Sequence, residues 1–360
     1  MRRPTRFAQL SALVAVCLCM FALPSLAVEC PLLAGSVAGE PGEGIAVSGG
    51  YAYVGRSEYS TLGGGLDAYD VSDPTDPVLL GSLDASWFGY RIAVSGQYAF
   101  VAAGTDGLRV VDVSDPAMPV EVGNAFGGGH VFDVAVSGDY AFLIEDVIGL
   151  LVFDISTPPW PVMVGNLPLI DVHAIAVLGM YAYVAARQDG MIVVDVSDPS
   201  QPSQVTSVPT SDPIFDTTTL DIVGDYAFVG AVHWGPFFVY SKIYVIDISH
   251  PATPDVVGVF DLDHFGFDRI AVSQQYAYLK GSSDILVVDV ETPSSPGLAG
   301  WNMLSDLAGD VAVSDGFVYV TVSRQLHNDE SLVVFWDCAL SVFGDGFESG
   351  DTSAWSASSP

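Results

Sequence analysis

Basic side chains are scarce in this chain of 360 residues: 11 Lys and Arg stand against 43 Asp and Glu, a formal charge of −32. A surface that acidic repels nucleic acid and anionic lipid, so neither is expected as a partner. Cysteine is almost missing, with Cys17 and Cys19 near the start and only Cys30 and Cys338 beyond. Charged residues make up just 15% while hydrophobic ones make up 50%, with many Val, Tyr and Gly, which excludes a disordered chain and points to a β protein with a large core. Enzyme signatures are lacking too: there is no G-x-S-x-G elbow, no phosphate-cradling G-x-x-x-x-G-K-[ST] and no H-E-x-x-H. Active sites assembled from distant loops need no such motif, so a missing motif does not exclude catalysis.

Long apolar runs are missing after the first one. Arg2, Arg3 and Arg6 precede Leu10 to Leu23, an uncharged stretch too short for a comfortable membrane span, and Ser25-Leu26-Ala27 supplies the small residues a signal peptidase needs. Glu29 ahead of Cys30 argues against a lipoprotein site. The expectation is cleavage after Ala27 and export as a secreted or cell-surface protein without membrane insertion. Residues 1–27 are then the signal peptide, 28–339 the folded domain and 340–360 a C-terminal tail.

What is present is a repeat. Leu108-Arg109-Val110-Val111-Asp112-Val113-Ser114-Asp115-Pro116 recurs with its aspartate at Asp70, Asp112, Asp154, Asp195, Asp247 and Asp289, in steps of 42, 42, 41, 52 and 42 residues. A seventh copy follows 47 residues later, with Trp336 in the aspartate's place. Each unit reads as four short strands: Ile92-Ala93-Val94, Tyr98 to Ala102, Leu108 to Val113 and Val120 to Gly123 in the second. Gly49, Gly96, Gly138, Gly179 and Gly224 share one turn position, Gln274 replaces the glycine in the sixth unit, and Gly316 is displaced in the seventh. The aspartate recurs in six of the seven units and fits capping of the Ser-Asp-Pro corner, a structural task rather than a catalytic one. The prediction is an all-β, seven-bladed β-propeller of four-stranded antiparallel blades.

The ends predict how the ring closes. Cys30 to Ser36 matches a fourth strand (compare Asp76 to Ser82), and no fourth strand follows Leu332 to Asp337. The N-terminal strand therefore completes the last blade. Cys338 takes the place of the corner serine, so a Cys30–Cys338 disulfide would stand in for the missing turn.

The Leu-x-Val-Val-Asp-Val-Ser-Asp-Pro units at Leu108–Pro116 and Met191–Pro199 resemble the LVIVD repeat of exported and surface proteins of bacteria and archaea, over roughly Cys30 to Ala339. That resemblance implies a propeller-like fold and carries no established reaction. The stretch from Phe343 to Ser356 looks like a short tail of diverse secreted bacterial proteins, read as a sorting tag, an Asp/Glu cation cluster or a flexible end.

If the first strand of each unit is innermost, loops into first strands share a face with those between second and third strands. Three of the latter are long: 56–65 with Glu58 and Tyr59, 231–241 with His233, Trp234, Phe237, Phe238 and Tyr240, and 323–331 with His327, Asp329 and Glu330. Loops into first strands hold Asp84, Trp87, Tyr90 and Arg91; His130 and Asp133; Asp171 and His173; Asp261, Asp263, His264, Asp268 and Arg269; and Asp306 and Asp310. The aromatic set Trp87, Tyr90, His233, Trp234, Phe237, Phe238 and Tyr240 is the expected binding surface, suited to stacking on sugars or gripping a protein. The 231–241 loop equally fits as a plug over the channel mouth. The main reading is a non-enzymatic binding module for a protein or glycan at the cell surface, without a cofactor. One alternative is a hydrolase or lyase at the axial mouth through His130, Asp133 and His173. The other is a scaffold stabilised by Ca²⁺ held by mouth carboxylates, although no spacing is diagnostic of a metal site.

Overall fold

Unbroken apolar runs such as Leu150-Leu151-Val152-Phe153 need cover on both faces, and the fold provides it. The computed structural model describes residues 30–338 apart from 127, 188, 211–214, 236–238, 264, 305 and 325–329, and within that span also leaves undescribed the side chains of Trp234, Asp263 and Arg324. The leader and tail expected from the sequence lie outside the described residues, as do Phe237, Phe238 and His327. The described residues form 28 strands, β1 to β28 in chain order, and no helix. They make seven antiparallel four-stranded sheets. Blade 1 is β2 (Gly42–Ser48), β3 (Tyr51–Arg56), β4 (Gly64–Asp70) and β5 (Val78–Ala85). Blades 2 to 6 repeat it over 91–125, 131–168, 172–208, 216–263 and 269–303. Blade 7 is β26 (Leu307–Ser314), β27 (Phe317–Arg324) and β28 (Glu330–Trp336), completed by β1 (Leu33–Ala38) on the outside.

The N-terminal strand thus closes the ring as the sequence predicts. Ser36 pairs with Val333 and Val37 with Leu332, and the Trp336 N–H donates to the Leu32 carbonyl at 2.9 Å. Cys30 and Cys338 form the expected disulfide, their Cα atoms 5.7 Å apart and 308 residues apart in sequence. Tyr278 of blade 6 buttresses this junction: its hydroxyl donates to Asp337 at 2.6 Å and accepts the Cys338 N–H at 2.8 Å.

Seven apolar clusters lie between adjacent blades. On β3, Ala52 and Val54 face blade 7 while Tyr53 faces blade 2. Successive side chains of a strand therefore enter two different cores, which is why the second and third strands read as continuous hydrophobic runs. Each buried Val, Leu or Ile there is worth about 1.5–3 kcal/mol.

At the rim, the outer strand of one blade receives the corner of the next. A Cβ on Gly35, Gly81, Gly123, Gly165 or Gly258 would collide with a backbone carbonyl at or beside Pro74, Pro116, Pro159, Pro199 or Pro293. On Gly300 it would strike the Cys30 carbonyl, which occupies the proline's place where the chain is broken. The corners themselves are held by the repeated aspartates. Oδ1 of Asp70, Asp112, Asp154, Asp195, Asp247 and Asp289 each accepts the backbone N–H two residues on. Hydrogen bonds from the corner serines hold Asp70, Asp154, Asp195 and Asp247 below the usual carboxylate range. Five turn glycines (49, 96, 138, 179, 224) have φ between 56° and 61°. In blade 7 Asp315 takes that place at φ 51°, a conformation aspartate tolerates better than most residues.

Candidate functional site

The innermost strands are β2, β6 (Arg91–Ser95), β10 (Val131–Ser137), β14 (Val172–Leu178), β18 (Asp216–Val223), β22 (Arg269–Val272) and β26, packed side by side around the axis. Each carries an apolar anchor: Ile45, Ile92, Val134, Ile175, Leu220, Ile270 or Val311. The residue before the anchor, in ring order, is Gly44, Arg91, Asp133, Ala174, Thr219, Arg269 and Asp310. Four of the seven are charged, and they meet. The Arg91 guanidinium reaches Asp310 at 2.6 Å and Asp133 at 3.4 Å, and Arg269 stands 3.6 Å from Asp310.

The carboxylates also stitch blades together. Asp133 accepts the N–H of Val134 on its own strand at 2.8 Å and of Ile175 on the next blade at 2.9 Å. Asp310 does the same with Val311 at 2.9 Å and Ile45 at 3.3 Å, across the ring closure. Burial opposes the Arg91 charge, but Asp310 and Asp133 more than offset it and hold its pKa above the ordinary value. Burial raises the Asp133 pKa, and Arg91 pulls against that rise. Asp133 and Asp310, two of the carboxylates expected at the mouth, thus have a resident counter-ion in the side chain of Arg91. Among the described residues no three His, Cys, Asp or Glu side chains gather as a metal ligand set.

One layer nearer the mouth, the column reads Glu43, Tyr90, Phe132, His173, Thr218, Asp268 and Gly309. Here lies a cavity of about 240 Å³ lined by Tyr90, Arg91, His130, Phe132, His173, Ala174, Thr218, Asp268 and Arg269, from five blades. Tyr90, His130, Phe132 and His173 form an aromatic ladder with ring centroids 5.4, 4.9 and 5.7 Å apart. Nε2 of His173 accepts a hydrogen bond from Arg187 Nε at 3.0 Å, and burial, then Arg187, lower its pKa. Burial raises the pKa of Glu43 despite the neighbouring Lys280 and Arg269. Lys280, itself buried, bonds Asp268 at 2.7 Å. Three buried polar atoms on cavity residues have no hydrogen-bond partner: His130 Nδ1, Thr218 Oγ1 and Arg269 Nε.

Just beyond the anchors, six blades place alanine at 46, 93, 135, 176, 271 and 312, and blade 5 places Asp221. Its two oxygens accept the N–H groups of Ile222 and of Val272 in blade 6, both at 2.8 Å. Burial dominates and pushes its pKa up to about 6. Because the folded value lies above the unfolded one, Asp221 favours folding at low pH, and that contribution is lost as pH rises through about 6. Melting wild type and Asp221→Asn between about pH 4.5 and 7.5 checks this: the wild type should gain roughly 2 kcal/mol on the variant toward low pH. Parallel curves count against it.

Of the residues expected to bind, Tyr90 lines the cavity. Trp87 does not reach the surface. It is 1% exposed in the core between blades 1 and 2, with its indole N–H on Glu121 at 2.8 Å. Stretch 231–241 is largely not a loop, because β19 (Tyr226–Trp234) and β20 (Val239–Asp247) continue as a paired hairpin in which His233 is in register with Tyr240 and Trp234 with Val239. His233 lies 5.9 Å from the Phe215 ring, and Tyr240 is 38% exposed. Asp84, on the outermost strand of blade 1, pairs with buried Arg56 at 2.6 Å. Phe132, Thr218, Asp221, Glu43 and Lys280 were not singled out from the sequence. Aligning the seven repeats at their first strands exposes all but Lys280, because these columns vary where the corner and turn columns are constant.

Solved structures share the architecture at low identity. The computationally designed Ika8 protein matches with a TM-score of 0.59 and 12% identity, over 85% of this chain and 99% of that one. U3-55K matches with a TM-score of 0.67 at 11% identity, again over 85% and 99%. The β-propeller domain of Myceliophteria_thermophila Cps50 (Swd1) gives 0.67 at 13%, with the same coverage. No curated protein sequence matches the chain. The LVIVD repeat matches at 42–85, 90–125, 128–168, 171–210, 216–261, 267–303 and 307–327, each match opening at or just before an inner strand. With seven matches over most of its length, this seven-bladed propeller belongs to the LVIVD-repeat family.

Proposed function

We propose that the chain is an exported binding module that engages a protein or glycan at the cell surface through the face carrying the axial mouth. The observation behind this reading is the convergence of side chains from five blades on one cavity. The extended hairpin of blade 5, with His233 and Tyr240, rises from the same ends of the strands. Two of the three groups considered for catalysis are otherwise engaged. Asp133 is taken up by Arg91 and two backbone N–H groups, and His173 by Arg187. Those bonds favour recognition over the hydrolase or lyase reading, since a general base needs a free lone pair aimed at substrate.

The test is binding of the labelled mature chain to glycan arrays and to cell-envelope preparations. Tyr90→Ala/His130→Ala and His233→Ala/Tyr240→Ala should each weaken binding at least about tenfold. A rim control, Val162→Ser/Met163→Ser on the outermost strand of blade 3, should leave it unchanged. Binding that survives both face variants and is lost in the rim control overturns the proposal.

A further inference from the structure

We infer that the mouth cavity is a recognition site for one uncharged sugar ring, a neutral hexopyranose, either free or at the end of a glycan chain. The inference rests on the binding-module reading and names what that face takes.

The charges around the cavity are already matched, and that argues against an ionic ligand. Arg91 is engaged by Asp310 at 2.6 Å and by Asp133 at 3.4 Å. Arg269 stands 3.6 Å from the same Asp310 and donates to the Asp268 carbonyl at 2.9 Å. The Asp268 carboxylate has Lys280 at 2.7 Å. Burial, then Arg187, lower the His173 pKa, so that ring is uncharged at neutral pH. A charged ligand would give up its hydration and find no group left to pair with.

Two kinds of surface remain open to a ligand. Blades 2 to 4 supply Tyr90, His130, Phe132 and His173, whose rings follow one another along the wall and are each partly exposed. That wall suits the C–H face of a pyranose. Across the axis, blade 6 supplies Asp268, whose side chain is 55% exposed while that of Lys280 is only 7% exposed. The buried ammonium also donates to the Gly309 carbonyl at 3.3 Å, so it holds one carboxylate oxygen from behind and balances its charge. The other oxygen is left as a positioned acceptor for hydroxyl groups, and such O–H···O⁻ bonds are roughly twice as strong as neutral ones. An acceptor fixed before the ligand arrives has little ordering left to lose.

Size sets the last limit. The Arg91–Asp133–Asp310 ion cluster closes the floor, and about 240 Å³ falls just below the usual range of small-molecule pockets. One ring fits and a continuous chain does not, so a glycan can offer only a terminal residue.

Isothermal titration of the mature chain with the methyl pyranosides of glucose, galactose and mannose tests this, with sodium glucuronate and glucosamine hydrochloride as charged counterparts. At least one neutral glycoside should bind saturably, and at least about tenfold more tightly than either charged sugar. Phe132→Ala and Asp268→Asn should each weaken it about tenfold or more, the second by removing the charge-assisted bond at constant size. If Asp268→Asn unfolds with Lys280 left unpaired, as judged by its melt, Asp268→Asn/Lys280→Met and Phe132→Ala decide instead. A disaccharide with the preferred sugar at its non-reducing end, bound as tightly, identifies chain ends as the source, while its rejection identifies the free sugar. A charged sugar bound as tightly as the neutral one overturns the inference, as does neutral binding that survives the substitutions. No saturable binding of any neutral glycoside, while the chain still captures its surface partner, overturns this inference and leaves the binding-module reading standing. Loss of capture as well overturns both.

Discussion

Replacing Cys30 with serine should lower the unfolding midpoint by on the order of 10 °C, from the loss of about 3–5 kcal/mol. The bond joins residues 308 apart, so it removes an unusually large loop-closure entropy from the unfolded chain. It also sits where the ring has its one covalent gap. Without it, the N-terminal segment is held to blade 7 by the β1–β28 ladder, by the Trp336 N–H on Leu32 and by Ser36 Oγ on Glu330 at 2.8 Å, and to blade 6 by Asn302 Nδ2 on the Pro31 carbonyl at 2.9 Å. Reductant should reproduce the shift in the wild type and do nothing to the variant, and Cys30→Ser/Cys338→Ser should melt with the single variant. Melting by circular dichroism reads all three. A midpoint within about 2 °C of oxidised wild type would mean that the ladder alone closes the ring.

Arg91→Met should be as damaging for a different reason. It keeps the bulk of the side chain and removes the charge, leaving the carboxylates of Asp133 and Asp310, 5% and 1% exposed, without their main counter-ion. Breaking one side of such a buried set costs about 3–5 kcal/mol. Adding Asp310→Asn should recover part of the loss, since the amide still offers one oxygen to the backbone and no longer carries charge. Burial raises the Asp133 pKa and Arg91 is the first group pulling against that rise, so its loss leaves the folded value of Asp133 further above the unfolded one. The stability Asp133 confers is then present at low pH and lost as pH rises through the folded value, so the variant should approach wild type as the solution is acidified. Urea melts of the two single variants and the double, at neutral and acidic pH, check this as a double-mutant cycle. Strict additivity would mean that the ion pair contributes nothing specific.

The fold was legible because its constraints repeat. The Asp-x-Ser corner, the left-handed turn glycine and the rim glycine each recur for a local reason, and the unmatched strand at Cys30 could belong only to the unfinished blade. The site was less legible because exposure is not written in residue type. Trp87 precedes an inner strand much as His130 does, yet its indole turns under the chain to Glu121 while His130 stays at the mouth. The aromatic stretch 231–241 looked like a loop by length, but Ala231 and Val232 are buried and the ladder simply runs on. Arg91, Asp133, Arg269 and Asp310 stood out as charges near the mouth. Their pairing across blades 2, 3, 6 and 7 depends on ring geometry that no single repeat contains.

That pairing also limits how such a ring can evolve. Around the circumference the blades are close to interchangeable: most outer strands offer a glycine, and the next corner fits it. A blade duplicated there would find the same neighbours it left. At the axis it would not. The order Gly44, Arg91, Asp133, Ala174, Thr219, Arg269, Asp310 balances two positive against two negative groups once per circuit. A second copy of blade 3 would add a carboxylate with no guanidinium to meet it, and loss of blade 2 would strand two. The rim permits any number of repeats that closes, while the charges at the centre make blades 2, 3, 6 and 7 the ones that cannot be copied or lost without an unpaired charge.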